Sequence, residues 1–153
     1  DVTVGENAEV YTESDTNTPG NQLVVADTPF GKIGMSVCYD LRFPELYREL
    51  ARQGAEILVV PSAFTDVTGQ AHWEVLLRAR AIENLCYVIA PAQGGYHVSG
   101  RTTYGHPMVI DYWGQIRGQL NKGSGVVLIE PDLEAQRALR QRFPVLSHRR
   151  LLM

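Results

Sequence analysis

In Gly31-Lys32-Ile33-Gly34-Met35-Ser36-Val37-Cys38-Tyr39-Asp40-Leu41-Arg42-Phe43-Pro44-Glu45-Leu46, an apolar run broken only by small residues passes straight into a polar, charged turn. A buried strand ends in this way where a site begins, so Cys38 is expected at a strand tip. Beyond it, Leu41, Leu46 and Leu50 recur at near-helical spacing, with Arg42, Glu45, Arg48, Glu49 and Arg52 between them, which predicts a sharp turn from strand into an amphipathic helix. A side chain on that bend is held out of the sheet. The next backbone N–H, that of Tyr39, would lie near a helix N-terminus, where negative charge is favoured. This is the layout of a nucleophile elbow built on sulfur, although a cysteine after a hydrophobic strand is more often core packing.

Outward from this stretch, Gln22–Ala26 reads as a strand, Thr28–Gly31 as a turn and Lys32–Val37 as the hairpin partner. A helix from about Arg42 to Gln53 is stopped by Gly54 as its C′ residue. Glu56–Val60 is a continuous apolar strand ended by Pro61, so a strand, helix and strand in that order predict a right-handed parallel crossover. Ligands gather at the carboxyl ends of such strands, where Cys38 and Pro61-Ser62-Ala63-Phe64 both fall. Thr65–Gln70 reads as a loop, and a second helix is expected from Ala71 to Asn84 with Trp73, Leu76, Leu77, Ala81 and Leu85 at helical spacing. Its Arg78, Arg80 and Glu83 read as surface charges worth tenths of a kcal/mol each. Tyr87–Ala90 is the next strand and Gly94, Gly95, Gly100 and Gly105 punctuate a polar loop. Strands are expected at Pro107–Asp111, Gln115–Arg117 and Gly125–Glu130, then a helix from Pro131 at N1 toward Arg142. The fold class is α/β, without an internal repeat.

The chain has 153 residues, 44% hydrophobic and 20% charged, with net charge −3, ordinary values for one soluble globular domain. Basic residues make no sustained run except His148-Arg149-Arg150, so no nucleic-acid partner is expected. No apolar stretch approaches the ~20 residues that cross a bilayer, and no signal peptide is seen, so no membrane partner and a cytoplasmic location are expected. Cys38 and Cys86 are read as reduced thiols, with Cys86 in the core. Histidine and cysteine are scattered without ligand spacing, so neither a metal nor another cofactor is expected.

Cys38-Tyr39-Asp40-Leu41-Arg42-Phe43-Pro44-Glu45-Leu46 resembles the nucleophile segment of the nitrilase, or carbon–nitrogen hydrolase, superfamily, in the branch that hydrolyses small amides. The resemblance extends through Ala55–Leu58 and Pro61–Phe64, Thr68–Glu74, Arg78–Asn84, Tyr104–Gly114, and Arg142–Leu146 with His148–Arg150. It implies half of an α-β-β-α four-layer sandwich, with this chain supplying roughly the second half of each sheet. Residues 1–153 would form a single carbon–nitrogen hydrolase domain, the C-terminal part of a longer polypeptide, with 143–153 an interface tail of a homodimer or larger assembly. If Asp1 follows the family's catalytic lysine, that lysine and an earlier catalytic glutamate lie in a preceding segment. The chain without that segment is then expected to be inactive.

The resemblance implies acyl transfer through a cysteine thioester, with a small carboxylated amide as substrate and ammonia released. Cys38 is the implied nucleophile, with the plainer alternative of a buried thiol; the Tyr39 backbone N–H is an implied oxyanion donor, and Glu13 a supporting carboxylate, with the plainer alternative of a solvated loop residue. Ser62, Ala63 and Phe64 are candidates for substrate binding. Asp40 and Arg42 read as a structural brace beside the bend. His72 is expected to cap or pack, although His72 and His106 leave a Cys-His pairing open. Phe64 and Tyr104 are as plausible in the core as in a pocket. A glutaminase-like Cys-His-Glu domain is disfavoured because no His-x-Glu lies near the carboxyl end. An inactive structural fragment and an ω-amidase or nitrilase of different substrate remain open.

Overall fold

The hairpin grows outward from a tight turn at Pro29 and Phe30, where proline presets φ and no strand can continue. In the computed structural model, which describes residues 2–4, 9–98 and 100–151, that hairpin is β3 (Val25–Thr28) and β4 (Gly31–Met35), paired antiparallel. The elements before them are β1 (Val2–Val4) and β2 (Glu9–Tyr11); after them come α1 (Pro44–Arg52), β5 (Ile57–Val59), α2 (Asp66–Thr68), α3 (Glu74–Asn84) and β6 (Tyr87–Ala90). β7 (Gly94–Tyr96), β8 (Thr102–Tyr104), β9 (Met108–Ile110), β10 (Ile116–Gln119) and α4 (Leu133–Arg142) follow. One six-stranded sheet runs in the order β10-β9-β6-β5-β4-β3. Its centre, β4-β5-β6, is parallel, as the continuous apolar runs predict, and β9 pairs antiparallel to β6.

Helices α1 and α3 lie on one face, touching β4, β6 and β9 as well as each other. The core is there: Tyr47, Leu50, Leu58, Trp73, Leu77, Val88 and Ile110 are fully buried. A Cβ on Gly34 would stand 3.0 Å from Leu58, 3.1 Å from Ala55 and 3.2 Å from Leu50, so its glycine lets α1 settle on β4. Gly54, at φ 96°, ends α1 in the left-handed region as expected of a C′ glycine. On the other face Met35, Val59 and Ile89 stand in register across the parallel ladders, with Met35 and Ile89 exposed. The α/β class and half-sandwich layering match the reading of the sequence. Among the described residues the strands form one six-stranded sheet and the separate ribbons β1-β2 and β7-β8.

Several boundaries move for local reasons. Phe43 is extended (φ −107°, ψ 93°), as a residue before proline prefers, so the helix expected from Arg42 starts at Pro44, and Cys38–Arg42 form a 3-10 turn. The segment read as a loop at Thr65–Gln70 is helical from Asp66 and runs through a π-helical turn, Gly69–Trp73, into α3. The expected strand at Gln22–Ala26 begins at Val25, and β2 and a 3-10 turn at Glu13–Asp15 precede it. The glycine-punctuated loop contains the β7-β8 hairpin. Residues 125–130 form no strand: Val126 and Leu128 project into solvent and no neighbour ladders with them. Asp132, not a residue before Pro131, caps α4, accepting from the Ala135 N–H at 2.8 Å. Asp1, Gly5–Ala8, and Leu152 and Met153 of the expected interface tail lie outside the described residues. No described helix is long and apolar enough to cross a membrane.

Helix α4 closes the amino ends of the central strands. Buried Gln136 donates Nε2 to the carbonyls of Glu56 and Leu85, each at 2.8 Å. Glu56 is 7% exposed; it receives Arg137 Nε at 2.5 Å and the Lys32 N–H at 3.1 Å. The Arg137 hydrogen bond, ahead of the opposing desolvation, holds the Glu56 carboxyl below its ordinary 4.5. A carboxylate with a lowered folded-state pKa stabilises the fold above its unfolded value, and that stabilisation is lost as pH falls through the folded value. Glu56→Gln is therefore expected to lower stability by about 1–3 kcal/mol at pH 7. The gap from wild type in thermal unfolding should close as pH drops below 4.5; a gap independent of pH would refute this account.

Candidate active site

Strand β4 ends at Met35, Ser36 turns inward and Val37 leads to Cys38, whose φ is 46°. A residue other than glycine in the left-handed region carries about 1–2 kcal/mol of strain and persists only where its surroundings over-determine it. Here they do. The Cys38 N–H donates to the Pro61 carbonyl at 2.9 Å, and the Val37 N–H donates to Asp40 Oδ2 at 2.8 Å. Asp40 thus has the structural use expected of it, tying down the turn through the backbone. Ser36 Oγ bonds the Val59 carbonyl at 2.9 Å and the Tyr47 hydroxyl at 2.8 Å, locking the strand end to β5 and α1. Burial, the dominant influence on Tyr47, pushes its hydroxyl pKa up to about 12.

Cys38 is half-buried and opens onto a cleft of about 1290 Å³ at the carboxyl ends of β4, β5 and β6. Tyr39 and Glu13 also line it, as do Ser62, Ala63 and Phe64. Tyr104 and His106 are not among the residues that line this cleft, whereas Glu13, Cys38, Tyr39, Ser62, Ala63 and Phe64 meet there. Their side chains contribute unequally. Ser62 Oγ is spent on the Val60 carbonyl at 3.1 Å, and buried Phe64 packs on Trp73 with ring centroids 5.0 Å apart, so these two form wall. Glu13 sits exposed in a 3-10 turn, Glu13–Asp15, with Oε1 3.4 Å from Asn17 Nδ2.

The sequence reading left out the cleft's cations. Arg42 lies over the rings of Phe64 (5.1 Å) and Tyr39 (5.6 Å), and its Nη1 donates to His72 Nδ1 at 3.3 Å. His72, expected to pack or cap, is exposed on the π-helical turn and faces the cleft beside Arg42. Arg101, after β7, reaches the Ala63 carbonyl with Nη2 at 2.7 Å. The alternation of Arg42 and Phe43 with Leu41 was the available signal for Arg42, since it faces opposite to the core leucine. No short-range pattern marks Arg101. His106 does not border the cleft: it stacks on Tyr104 at 4.2 Å, has φ 57° and accepts from Trp73 Nε1 through its carbonyl. The chain's two lysines, Lys32 and Lys122, are absent from the cleft lining.

A parallel core, a strained cysteine where its central strands end and a cleft with carboxylate and guanidinium groups define an α/β protein with a thiol in a cleft at the carboxyl edge of its sheet. The sequence profile described as carbon–nitrogen hydrolase matches residues 5–141, and the chain belongs to that family. It is 53% identical over 142 residues to deaminated glutathione amidase of Yersinia enterocolitica, covering 93% of this chain and 50% of that protein. Its structure is similar to Caenorhabditis elegans NitFhit, with TM-score 0.89 and 46% identity over 97% of this chain and 37% of that one. It is also similar to Saccharomyces cerevisiae Nit3, a member of branch 10 of the nitrilase superfamily, with TM-score 0.80 and 40% identity over 86% of this chain and 49% of that one. The chain spans about half the length of the curated relative it matches.

Cys86 gives the internal control for the thiol. It is fully buried, donates Sγ to the Ala55 and Asn84 carbonyls at 3.3 and 3.4 Å and receives Arg140 Nη2 at 3.0 Å. Burial, only partly opposed by Arg140, raises its pKa to about 11. Native protein treated with iodoacetamide at neutral pH is therefore expected to be alkylated at Cys38 and spared at Cys86, with both labelled in guanidinium. Peptide mapping reads the outcome, and equal native labelling would remove Cys38 from the site.

Proposed function

We propose that the chain carries the nucleophile and substrate wall of a thiol-dependent amidohydrolase acting on a small carboxylated amide. The observation that carries this reading is the strained left-handed bend at Cys38, opening onto a cleft at the carboxyl ends of the parallel strands. In the reaction, Cys38 Sγ attacks the amide carbon while its proton passes to a carboxylate base. The tetrahedral oxyanion is met by the Tyr39 N–H at the first turn after the bend. Collapse breaks the C–N bond and ammonia leaves with the transferred proton. Water then hydrolyses the thioester, releasing the acid and restoring the thiol. Glu13 is the cleft carboxylate of this chain and takes a supporting role. The principal base and the lysine implied by the family resemblance have no assigned position here.

Arg42 and Arg101 at the cleft support a substrate with a free carboxylate, because guanidinium groups bind carboxylates through a planar fork. A deaminated glutathione or another ω-amide of an acid fits this chemistry better than a neutral nitrile. We further infer that residues 1–153 act as one domain and that the open sheet face with Met35 and Ile89 stacks on a second sheet. The stretch from Phe143 would serve subunit pairing: Phe143 and Leu151 are exposed and apolar, while Arg149 reaches Glu49 at only 3.9 Å.

In the full-length polypeptide, Cys38→Ala is expected to abolish ammonia release and Cys38→Ser to keep the fold with little activity. Wild-type turnover by Cys38→Ala would end the proposal, and a substrate profile in which neutral nitriles outpace carboxylated amides would end its specificity part. Removal of residues 143–153 is expected to shift a homodimer to monomer in light scattering. An unchanged mass in that experiment would refute the tail's role.

A further inference from the structure

Arg80 is read from the sequence as a surface charge on α3, and the structure buries it: it is 5% exposed. A buried guanidinium is tolerated only when its charge and donors are met. Arg80 Nε and Nη2 both donate to the Leu41 carbonyl, at 3.1 and 2.8 Å. Nη1 donates to Glu83 Oε1 at 3.0 Å, and the guanidinium lies 5.4 Å from the centre of the Tyr47 ring. Leu41, fully buried, belongs to the 3-10 turn Cys38–Arg42, so the fork grips the far end of the turn that starts at the strained cysteine.

We propose that Arg80 is a positioning residue for Cys38: its fork on the Leu41 carbonyl holds the 3-10 turn closed and thereby keeps the thiol aimed into the cleft. The turn is also anchored at its start, through Cys38 N–H to Pro61 and Val37 N–H to Asp40, and its Leu41 side chain is packed in the core. Without the fork no hydrogen bond fixes the Leu41 carbonyl, and the left-handed residue can release its strain by rotating to negative φ, which swings Sγ away from the direction that the strand end and the cleft impose. Both donors must reach one carbonyl from one plane, so the geometry of guanidinium is required and a point charge is insufficient. The inference rests on the reading of Cys38 as the nucleophile, and it concerns how that thiol is held.

The test is Arg80→Lys in the full-length polypeptide, which keeps the charge and loses the fork, beside Glu83→Gln, which keeps the fork and loses the ion pair. The rate of iodoacetamide alkylation at Cys38 is followed across pH 6–10 with peptide mapping, together with kcat and KM for ammonia release. Arg80→Lys is expected to slow Cys38 alkylation and to lower kcat, each about tenfold or more, with KM within about twofold and Cys86 still protected. Glu83→Gln is expected to leave the Cys38 rate within about twofold, because the fork persists. An unchanged Cys38 rate and kcat in Arg80→Lys overturns the proposal. So does labelling of Cys86 in that variant, which would make Arg80 a support of the whole fold, and so does an equal loss in Glu83→Gln. If wild-type Cys38 reacts no faster than Cys86, it is the nucleophile reading that fails, by an outcome distinct from these.

Discussion

The hydrogen bond from the Cys38 N–H to the Pro61 carbonyl joins the ends of two neighbouring parallel strands at the point where both chains leave the sheet. Without it the bend at Cys38 would have little reason to keep φ at 46°, a conformation glycine adopts freely and cysteine does not. With it, Pro61 to Phe64 and Cys38 to Arg42 share one geometric reference. The register carried by Ile33-Ile57 and Met35-Val59 in the ladder therefore passes directly to the residues around the cleft. The position of the wall relative to the thiol is thus a consequence of strand pairing rather than of loop packing. Strain at a residue whose side chain a cleft exposes is the pattern from which a functional hypothesis is fairly drawn.

The two ends of the central strands are finished in opposite ways. At the amino ends, Gln136 Nε2, Arg140 and the Cys86 thiol donate to the carbonyls of Ala55, Glu56 and Leu85, and Arg140 also donates to Cys86 Sγ. Leu85 also takes a left-handed φ of 48° there, but only to end α3, and nothing reactive projects from it. At the carboxyl ends the same kind of bend exposes a thiol, and guanidinium and carboxylate groups border open space. Two arginines, Arg140 and Arg80, each fork onto backbone carbonyls, one at each end. The difference lies in what the braced backbone presents, which is a sealed helix terminus at one end and Cys38 at the other.

The parallel core was legible in the sequence because Ile57–Val59 and Tyr87–Ala90 are covered continuous apolar runs, and periodicity marks such strands well. The bend and the cleft residues Cys38, Glu13 and Ser62–Phe64 were legible from their place at strand ends and from the family strings. What failed depended on partners distant in sequence. Gly125–Ile129 is an apolar run of strand length and finds no strand among the described residues to pair with. Gly94–Tyr96 lacks a hydrophobic signal and forms a ribbon only because Thr102–Tyr104 lies opposite. Arg80 carried a readable sign: Trp73, Leu77, Arg80, Ala81 and Asn84 fall on one helical stripe, and all are buried. A charged residue on the apolar stripe indicates a buried acceptor, yet the identity of that acceptor, the Leu41 carbonyl, is fixed only by tertiary contact.

Hydrogen-bond accounting argues against the Cys-His alternative left open by the sequence. A guanidinium has donors and no acceptors, so the Arg42 Nη1 contact requires His72 Nδ1 to be an acceptor. A neutral imidazole that accepts at Nδ1 carries its proton on Nε2, and that nitrogen then has no lone pair with which to take the proton of a thiol. A protonated imidazole would take none at either nitrogen and would set its charge against Arg42. His106 is removed from the cleft by its stack on Tyr104. The histidines at this end therefore serve the shape of the site, and His72 helps to orient Arg42. Under the proposed function, a carboxylate rather than either of these histidines would take the Cys38 proton.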